Sequence, residues 1–282
     1  MKFKVSSELE YQVLMPSTFI FNIQVSKASS QKVIEESLVV NPQLPVEEFI
    51  SATGDARFIR IRIKKPTTFS INYQATVDTR HIILDEKRHS DEVPVDKLDT
   101  DVIPYLFPSR YCQSDRIQKL AFKEFGDIDN LYLKVLAITE WIYNNVEYLS
   151  GSTNASTSAI DTITERAGVC RDFAHLGIAL CRALSIPARY YTGYAYQLVP
   201  QDFHACFEAY IGGNWIFFDP TKLVPLNGLV KIANGRDAAD AAVASIYGNT
   251  ICNKMVVNCE CLEKEFNPYH YEESKQEGLS YQ

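Results

Sequence analysis

Three side chains in this sequence form a possible nucleophile, base and acid partner: Cys170, His204 and Asp219. A cysteine attacks a carbonyl carbon as a thiolate, and it needs a neighbouring base to become one. The base needs a third group that fixes its ring. His204 stands in Asp202-Phe203-His204-Ala205-Cys206-Phe207-Glu208-Ala209-Tyr210, and Asp219 closes Trp215-Ile216-Phe217-Phe218-Asp219 ahead of Pro220 and Thr221. The chemistry open to such a set is acyl transfer through a thioester.

Specific elements must bring these residues together. Upstream of the cysteine, Thr162 to Arg166 reads as the end of a short helix that Gly168 terminates. Downstream, Phe173, Leu176, Ile178, Ala179, Leu180, Ala183 and Leu184 make a helix that is apolar nearly all round, so it belongs inside a core; Pro187 stops it. Cys170 therefore falls at or near a helix N-terminus. Unpaired N–H groups and the dipole there favour a thiolate and can donate to an oxyanion. The residues after His204 and the run Trp215–Phe218 read as two strands, and Ile211-Gly212-Gly213-Asn214 between them is a hairpin signal. A turn near Gly212 returns Asp219 to the end of the strand that carries His204. Arg189 to Tyr196 reads as a strand entering the same sheet.

Taken together, Gly168-x-Cys170-x-Asp172-x-Ala174, Arg189 to Gly193, His204-Ala205-x-x-Glu208 and Trp215-x-x-x-Asp219-Pro220-Thr221 resemble the transglutaminase-like superfamily, in particular bacterial members described as cysteine proteases. The resemblance runs from about Pro104 to Asn249 in organisation. It implies Cys170 as nucleophile, His204 as base and Asp219 as its partner, on a papain-like, transglutaminase-like α+β domain. One departure is Cys206, which stands where the family usually has Trp; no catalytic group is lost by it.

Other candidates give way on physical grounds. His175 is close to Cys170 in sequence, but five helical positions rotate it by about 140°, so it reads as a packed core histidine. Glu208 follows His204 by four and shares its strand face, making it an alternative orienter, but it lies further from the hairpin end than Asp219. Asp172 reads as a helix cap or a partner of Arg171 or Arg189. Trp141, Tyr143, Asn144 and Asn145 are candidates for an oxyanion donor upstream of the nucleophile, with Trp141 better explained by packing. The loop Gly151–Ser158 can border the cleft, and Gly235–Ala242 opens a short capped helix that can wall it. His81 and His89 read as surface residues, and Cys181 as a core residue. Cys259 and Cys261 read as strand residues, since no second pair completes a metal site. No cofactor or metal is expected.

The whole chain sets bounds. Its 282 residues are 46% hydrophobic, enough for a sizeable core in one large or two ordinary domains. A net charge of −7 argues against a nucleic-acid partner held by bulk electrostatics. Seven cysteines without framework spacing read as reduced thiols. Met1 to Ser6 lacks the apolar stretch of a signal peptide, and no run is long enough to span a membrane, so a cytoplasmic location is expected.

From Glu8 to about Thr100 the chain is β-rich, with strands at Tyr11–Leu14, Thr18–Val25, Lys32–Val40, Arg57–Lys64 and Ser70–Val77. From Ile59 to Lys64 apolar residues alternate with Arg60, Arg62 and Lys64; that basic face reads as solvated. Leu131, Val135, Ile138, Trp141, Ile142 and Val146 have helical spacing after Asp127 and Asp129. Ile251 to Leu262 makes a closing strand. The expected architecture is α+β: an antiparallel β-sandwich over 1–100, a papain-like/transglutaminase-like catalytic domain over 104–266, and a polar tail over 267–282 ending in disorder. The expected substrate is a peptide or protein offering a peptide bond or amide side chain. Hydrolysis is favoured; transfer to an amine, as in a transglutaminase, and a non-catalytic binding module on the same fold are the alternatives.

Overall fold

The computed structural model describes residues 1–51, 56–85, 93–271 and 275–281. Along the chain, β1 (Lys2–Val13), β2 (Ser17–Phe21), β3 (Gln31–Asn41), β4 (Val46–Ile50), β5 (Arg57–Ile63), β6 (Thr67–Thr79) and β7 (Ile82–Leu84) come first. Next are α1 (Gln118–Phe125), α2 (Leu131–Asn145), β8 (Glu147–Tyr148), α3 (Ala159–Glu165), β9 (Ala167–Gly168) and α4 (Cys170–Ala183). The chain continues with β10 (Ala188–Ala195), β11 (Phe203–Ile211), β12 (Asn214–Phe218), β13 (Leu229–Gly235), α5 (Ala238–Ala241), β14 (Ala244–Tyr247), β15 (Thr250–Cys261) and β16 (Gly278–Ser280).

The first unit is two antiparallel sheets, ordered β15-β1-β6-β3 and β14-β2-β5-β4. Period-two patterning explains them. In β1, Phe3, Val5, Leu9, Tyr11 and Val13 are buried while Lys2 and Lys4 are exposed. That strand begins at Lys2, well before the expected Tyr11, because the same alternation already holds from Phe3. In β5, Ile59, Ile61 and Ile63 point inward and Arg60 and Arg62 outward, as the sequence implies. Arg60 is held by Glu47 of β4, with Nε donating to Oε2 at 2.9 Å.

Residues grouped from sequence with the second unit complete this one. Strand β15, the expected closing strand, pairs with β1 from Phe3↔Cys261 to Val13↔Thr250, and β14 pairs with β2. Alternation sets which face of a strand is buried but not which neighbour it finds, so the sequence pattern left this partner open.

In the second unit α4 packs on an antiparallel sheet ordered β12-β11-β10-β13. From Asp172 to Ala183 every residue of α4 is buried, as its apolar circumference requires. Gly177 lets it approach β11: a Cβ there would lie 2.5 Å from the Phe207 ring. Helix α2 forms where expected, but Asn130 caps it, accepting from the Leu133 N–H at 3.0 Å, rather than Asp127 or Asp129. The units meet through buried polar contacts; the Tyr194 hydroxyl donates to the Ile23 carbonyl at 2.7 Å.

The expectation of a disordered tail does not hold for its described residues. Strand β16 pairs with β7, Leu279 and Ser280 are buried, and the Tyr281 ring packs 5.1 Å from Phe217. The polar composition hid a few well-spaced apolar anchors, Tyr269, Tyr271, Leu279 and Tyr281, that dock on the cluster around Cys206 and Phe217. His89 lies outside the described residues; His81 is half-buried, its ring centroid 6.0 Å from that of Tyr281.

Candidate functional site

The site begins with a tight turn. Helix α3 ends at Arg166, whose φ of 58° is left-handed, so the helix stops two residues before Gly168, the expected terminator. Gly168 instead pairs in β9 with Tyr148 of β8. Its missing side chain matters for another reason: a Cβ there would sit 2.9 Å from the Asp172 Cβ. Asp172, fully buried in the first turn of α4, accepts from the Val169 N–H at 3.0 Å and the Thr153 hydroxyl at 2.8 Å. Its other oxygen takes the Arg171 guanidinium at 3.0 Å. Asp172 is therefore both the cap and the Arg171 partner that the sequence suggests. Cys170 opens the helix, where the first N–H groups have no intrahelical acceptor.

The hairpin supplies the other two residues. Strands β11 and β12 pair from Ile211↔Asn214 to Phe207↔Phe218, across a turn in which Gly212 and Gly213 both take positive φ, 56° and 77°. Those angles belong to the two-residue turn that matches strand twist, and they explain the Gly-Gly. Continuing the register by one residue puts Asp219 opposite Cys206, a diagonal step from His204 on the same strand face. His204 Nε2 donates to Asp219 Oδ2 at 2.8 Å, with both residues buried. The remaining oxygen of Asp219 accepts from the Thr221 backbone N–H at 2.9 Å and the Thr221 hydroxyl at 2.7 Å. Tyr271, from the tail, donates to the Asp219 carbonyl at 2.9 Å.

With Nε2 taken, Nδ1 of His204 is buried without a hydrogen-bond partner among the described residues. The ring also interacts with the Cys170 side chain, so Nδ1 is the nitrogen left to meet the thiol. Burial works against an imidazolium here, but the charge and hydrogen bond of Asp219, with Cys170, outweigh it and push the His204 pKa up to about 10. Cys170 and His204 line one cavity of about 460 Å³, together with Tyr111, Arg171 and the small residues of α5 and β14.

The remaining candidates fall elsewhere. Glu208 is not at His204: it is claimed by Arg189, at 2.6 and 3.0 Å, and by Asn234. His175 is buried, accepts from the Ala238 N–H at 3.1 Å and stacks on Tyr111; burial lowers its pKa well below the ordinary value. Trp141, Tyr143, Asn144 and Asn145 do not line the cavity: Trp141 packs on Phe125, and Lys222 covers Tyr143. Ala155, from the expected bordering loop, and Ala238, Ala239, Ala241 and Ala242 do line it. Asp237 caps α5 by accepting from the Ala239 N–H at 2.9 Å. Cys206, in place of the family's Trp, fills an apolar cluster with Tyr191 and Phe217. Cys259 and Cys261 lie in β15, as strand residues.

Sequence reasoning passed over Tyr148. Its hydroxyl interacts with Cys170: burial first, and then the thiol, push the phenol pKa up, while the Cys170 backbone amide works in the opposite direction. The two-residue bridge to β9 that puts it there is too short to leave a periodic signal.

Comparison with known proteins agrees with this architecture. Residues 1–101 match the model of the bacterial transglutaminase N-terminal domain, and residues 118–220 that of the transglutaminase-like superfamily. A solved structure described as "a Putative Cysteine Protease from Cytophaga hutchinsonii" is 64% identical, with a TM-score of 0.98, over 100% of this chain and 98% of that one. An uncharacterized protein of Mycobacterium leprae is 33% identical over 38% of this chain and 42% of its own length. One from Mycobacterium tuberculosis is 35% identical over 46% of each. The chain thus spans less than half the length of these two curated relatives. With the fold, both family models and a full-length relative in agreement, the chain belongs to the transglutaminase-like superfamily.

Proposed function

We propose that this chain is a cysteine-dependent acyl-transfer enzyme that hydrolyses peptide or amide bonds, with Cys170 as nucleophile, His204 as base and Asp219 as its orienter. One observation carries the reading: a buried histidine held by a carboxylate through Nε2 keeps Nδ1 for a cysteine at a helix N-terminus in the same cavity. The 64% identity to a chain described as a putative cysteine protease supports hydrolysis over transfer.

The mechanism follows from the atoms present. The Cys170 proton moves to His204 Nδ1, and the thiolate attacks the amide carbonyl carbon. The resulting oxyanion takes hydrogen bonds from the Cys170 N–H and the Tyr148 hydroxyl. As the C–N bond breaks, Nδ1–H protonates the leaving amine, and a thioester remains. Water, giving up a proton to Nδ1, then attacks the thioester and frees the carboxylic acid and the thiol.

The test pairs alkylation with turnover. Iodoacetamide labelling of Cys170, followed by mass spectrometry, is expected to continue well below about pH 8.5, where an ordinary thiol becomes slow, and to fall in His204→Ala. Fluorescein-labelled casein is expected to be cut by the wild type and left intact by Cys170→Ala. Product that forms only with added primary amine would establish the transferase instead. Ordinary thiol behaviour, unchanged in His204→Ala and without turnover, would leave a binding module.

A further inference from the structure

One wall of the cavity that Cys170 lines includes an unpaired strand edge. Strand β14 is the outermost strand of its sheet, bonded to β2 on one side; among the described residues no strand pairs with its other edge. Ala244, Ser245 and Ile246 of β14 line the same cavity as Cys170 and His204.

The register shows which backbone groups face outward. The Asn22 N–H donates to the Val243 carbonyl at 2.8 Å, so this pair is a hydrogen-bonded one. Bonded and non-bonded pairs alternate in an antiparallel ladder. With Phe21 opposite Ala244, Ile20 opposite Ser245 and Phe19 opposite Ile246, Ser245 bonds to β2, while Ala244 and Ile246 turn their N–H and C=O groups to the open edge. A neighbouring strand would lie about 4.8 Å away. The methyl side chains of Ala238, Ala239, Ala241 and Ala242 on that wall leave room for another backbone.

We propose that the outer edge of β14 is the substrate-binding rail, and that the substrate is a polypeptide in extended conformation, which adds to this edge as a further strand and so carries its scissile carbonyl past Cys170. This deepens the hydrolase reading and rests on it for the chemistry. Backbone bonds to Ala244 and Ile246 recognise any extended chain regardless of sequence, and side chains at alternate positions enter or leave the cavity. Folded segments, whose amides are already paired, are excluded. Free edges can recruit strands, and this one adjoins the cavity that Cys170 lines.

The experiment separates this inference from the hydrolase reading. Cys170→Ala protein, labelled for backbone amide exchange by NMR, is titrated with β-casein as an unstructured probe. Exchange at Ala244 and Ile246 is expected to slow at least about tenfold, while Ser245, already bonded to β2, is unaffected. A casein-derived peptide N-methylated at alternate residues is expected to give no slowing. Unchanged exchange at Ala244 and Ile246 at saturating probe overturns the rail, whether or not the wild type cuts casein. Slowing that follows protein concentration without probe also overturns it, since a second copy would then hold the edge. Slowing with casein, in a wild type that does not cut it, keeps the rail and refutes hydrolysis alone. Ile246→Pro, which removes one outward N–H where edge strands tolerate proline, is expected to abolish the slowing at Ala244 with the sheet intact by circular dichroism.

Discussion

Replacing Asp219 by Asn would change one atom and, by the hydrogen bonds around it, reverse the base. Asp219 Oδ1 accepts from the Thr221 backbone N–H, which can only donate. An Asn at 219 must keep its carbonyl oxygen on that side, and its NH2 then faces His204 Nε2, where the carboxylate now lies 2.8 Å away. Nε2 becomes the acceptor, and the single ring proton moves to Nδ1. A ring in that tautomer cannot take the thiol proton, and an imidazolium would set two donors face to face. Where a triad keeps its geometry but loses its tautomer, turnover falls by about 10⁴-fold, or about 5 kcal/mol of transition-state stabilisation. The assay is kcat on a fluorogenic amide, with Cys170 alkylation at about pH 6 as a readout independent of substrate. An Asp219→Asn protein within about tenfold of wild type in both would refute the argument, because the Thr221 contacts would then not dictate the amide orientation.

Four further outcomes are expected. His204 binds its proton more tightly folded than unfolded, so the stability it contributes is complete below about pH 6.5 and is lost as pH rises toward about 10; the urea-unfolding gap between wild type and Asp219→Ala should therefore shrink over that range, and a gap that widens would contradict the pairing. Glu208→Ala leaves the Arg189 guanidinium without its carboxylate and should cost about 3–5 kcal/mol in denaturant unfolding, with Cys170 alkylation at the wild-type rate; slowed alkylation would restore Glu208 as an orienter. Gly168→Ala drives a methyl to 2.9 Å from the Asp172 Cβ and should lower stability by about 1–3 kcal/mol, read as a fall in Tm with loss of turnover. Tyr148→Phe should lower kcat by about 10²-fold or more with KM little changed, and an unaltered kcat would remove Tyr148 from the oxyanion site.

What the sequence disclosed about the site came from local rules. The helix with Cys170 at its first position, the Gly212-Gly213 turn and the return of Asp219 to His204 all depend on residues close together in the chain, where periodicity and turn chemistry act. The Thr221 contact is local too, although the sequence reading assigned Thr221 no role: it bonds back to the side chain two residues before it, a common habit of Asp in turns. What stayed hidden depends on partners far apart. Nothing in the alternation of Thr250–Cys261 names β1 as its neighbour, and Tyr148 reaches Cys170 through a bridge of two residues. The tail misled because composition averages over residues, whereas docking needs only a few aromatic anchors. Helix ends followed a similar pattern: Arg166, not Gly168, takes the left-handed angle, because the bridge to β8 had a stronger claim on Gly168.

The pairing of β1 with β15 has a consequence for how the protein is made. Ribosomes deliver Lys2–Val13 long before Thr250–Cys261, so in the interval one side of β1 is uncovered. Contacts this distant in sequence close slowly, and an open edge is a template for other chains in the meantime. Until β15 arrives, β1, β6 and β3 form a half-sandwich with one side of β1 open. The strand that completes it follows directly after β14, so the proposed peptide-binding edge and the closure of the sandwich form in the same late step. A nascent chain would thus hold no finished binding edge beside its own thiol while much of its backbone was still unfolded and open to attack.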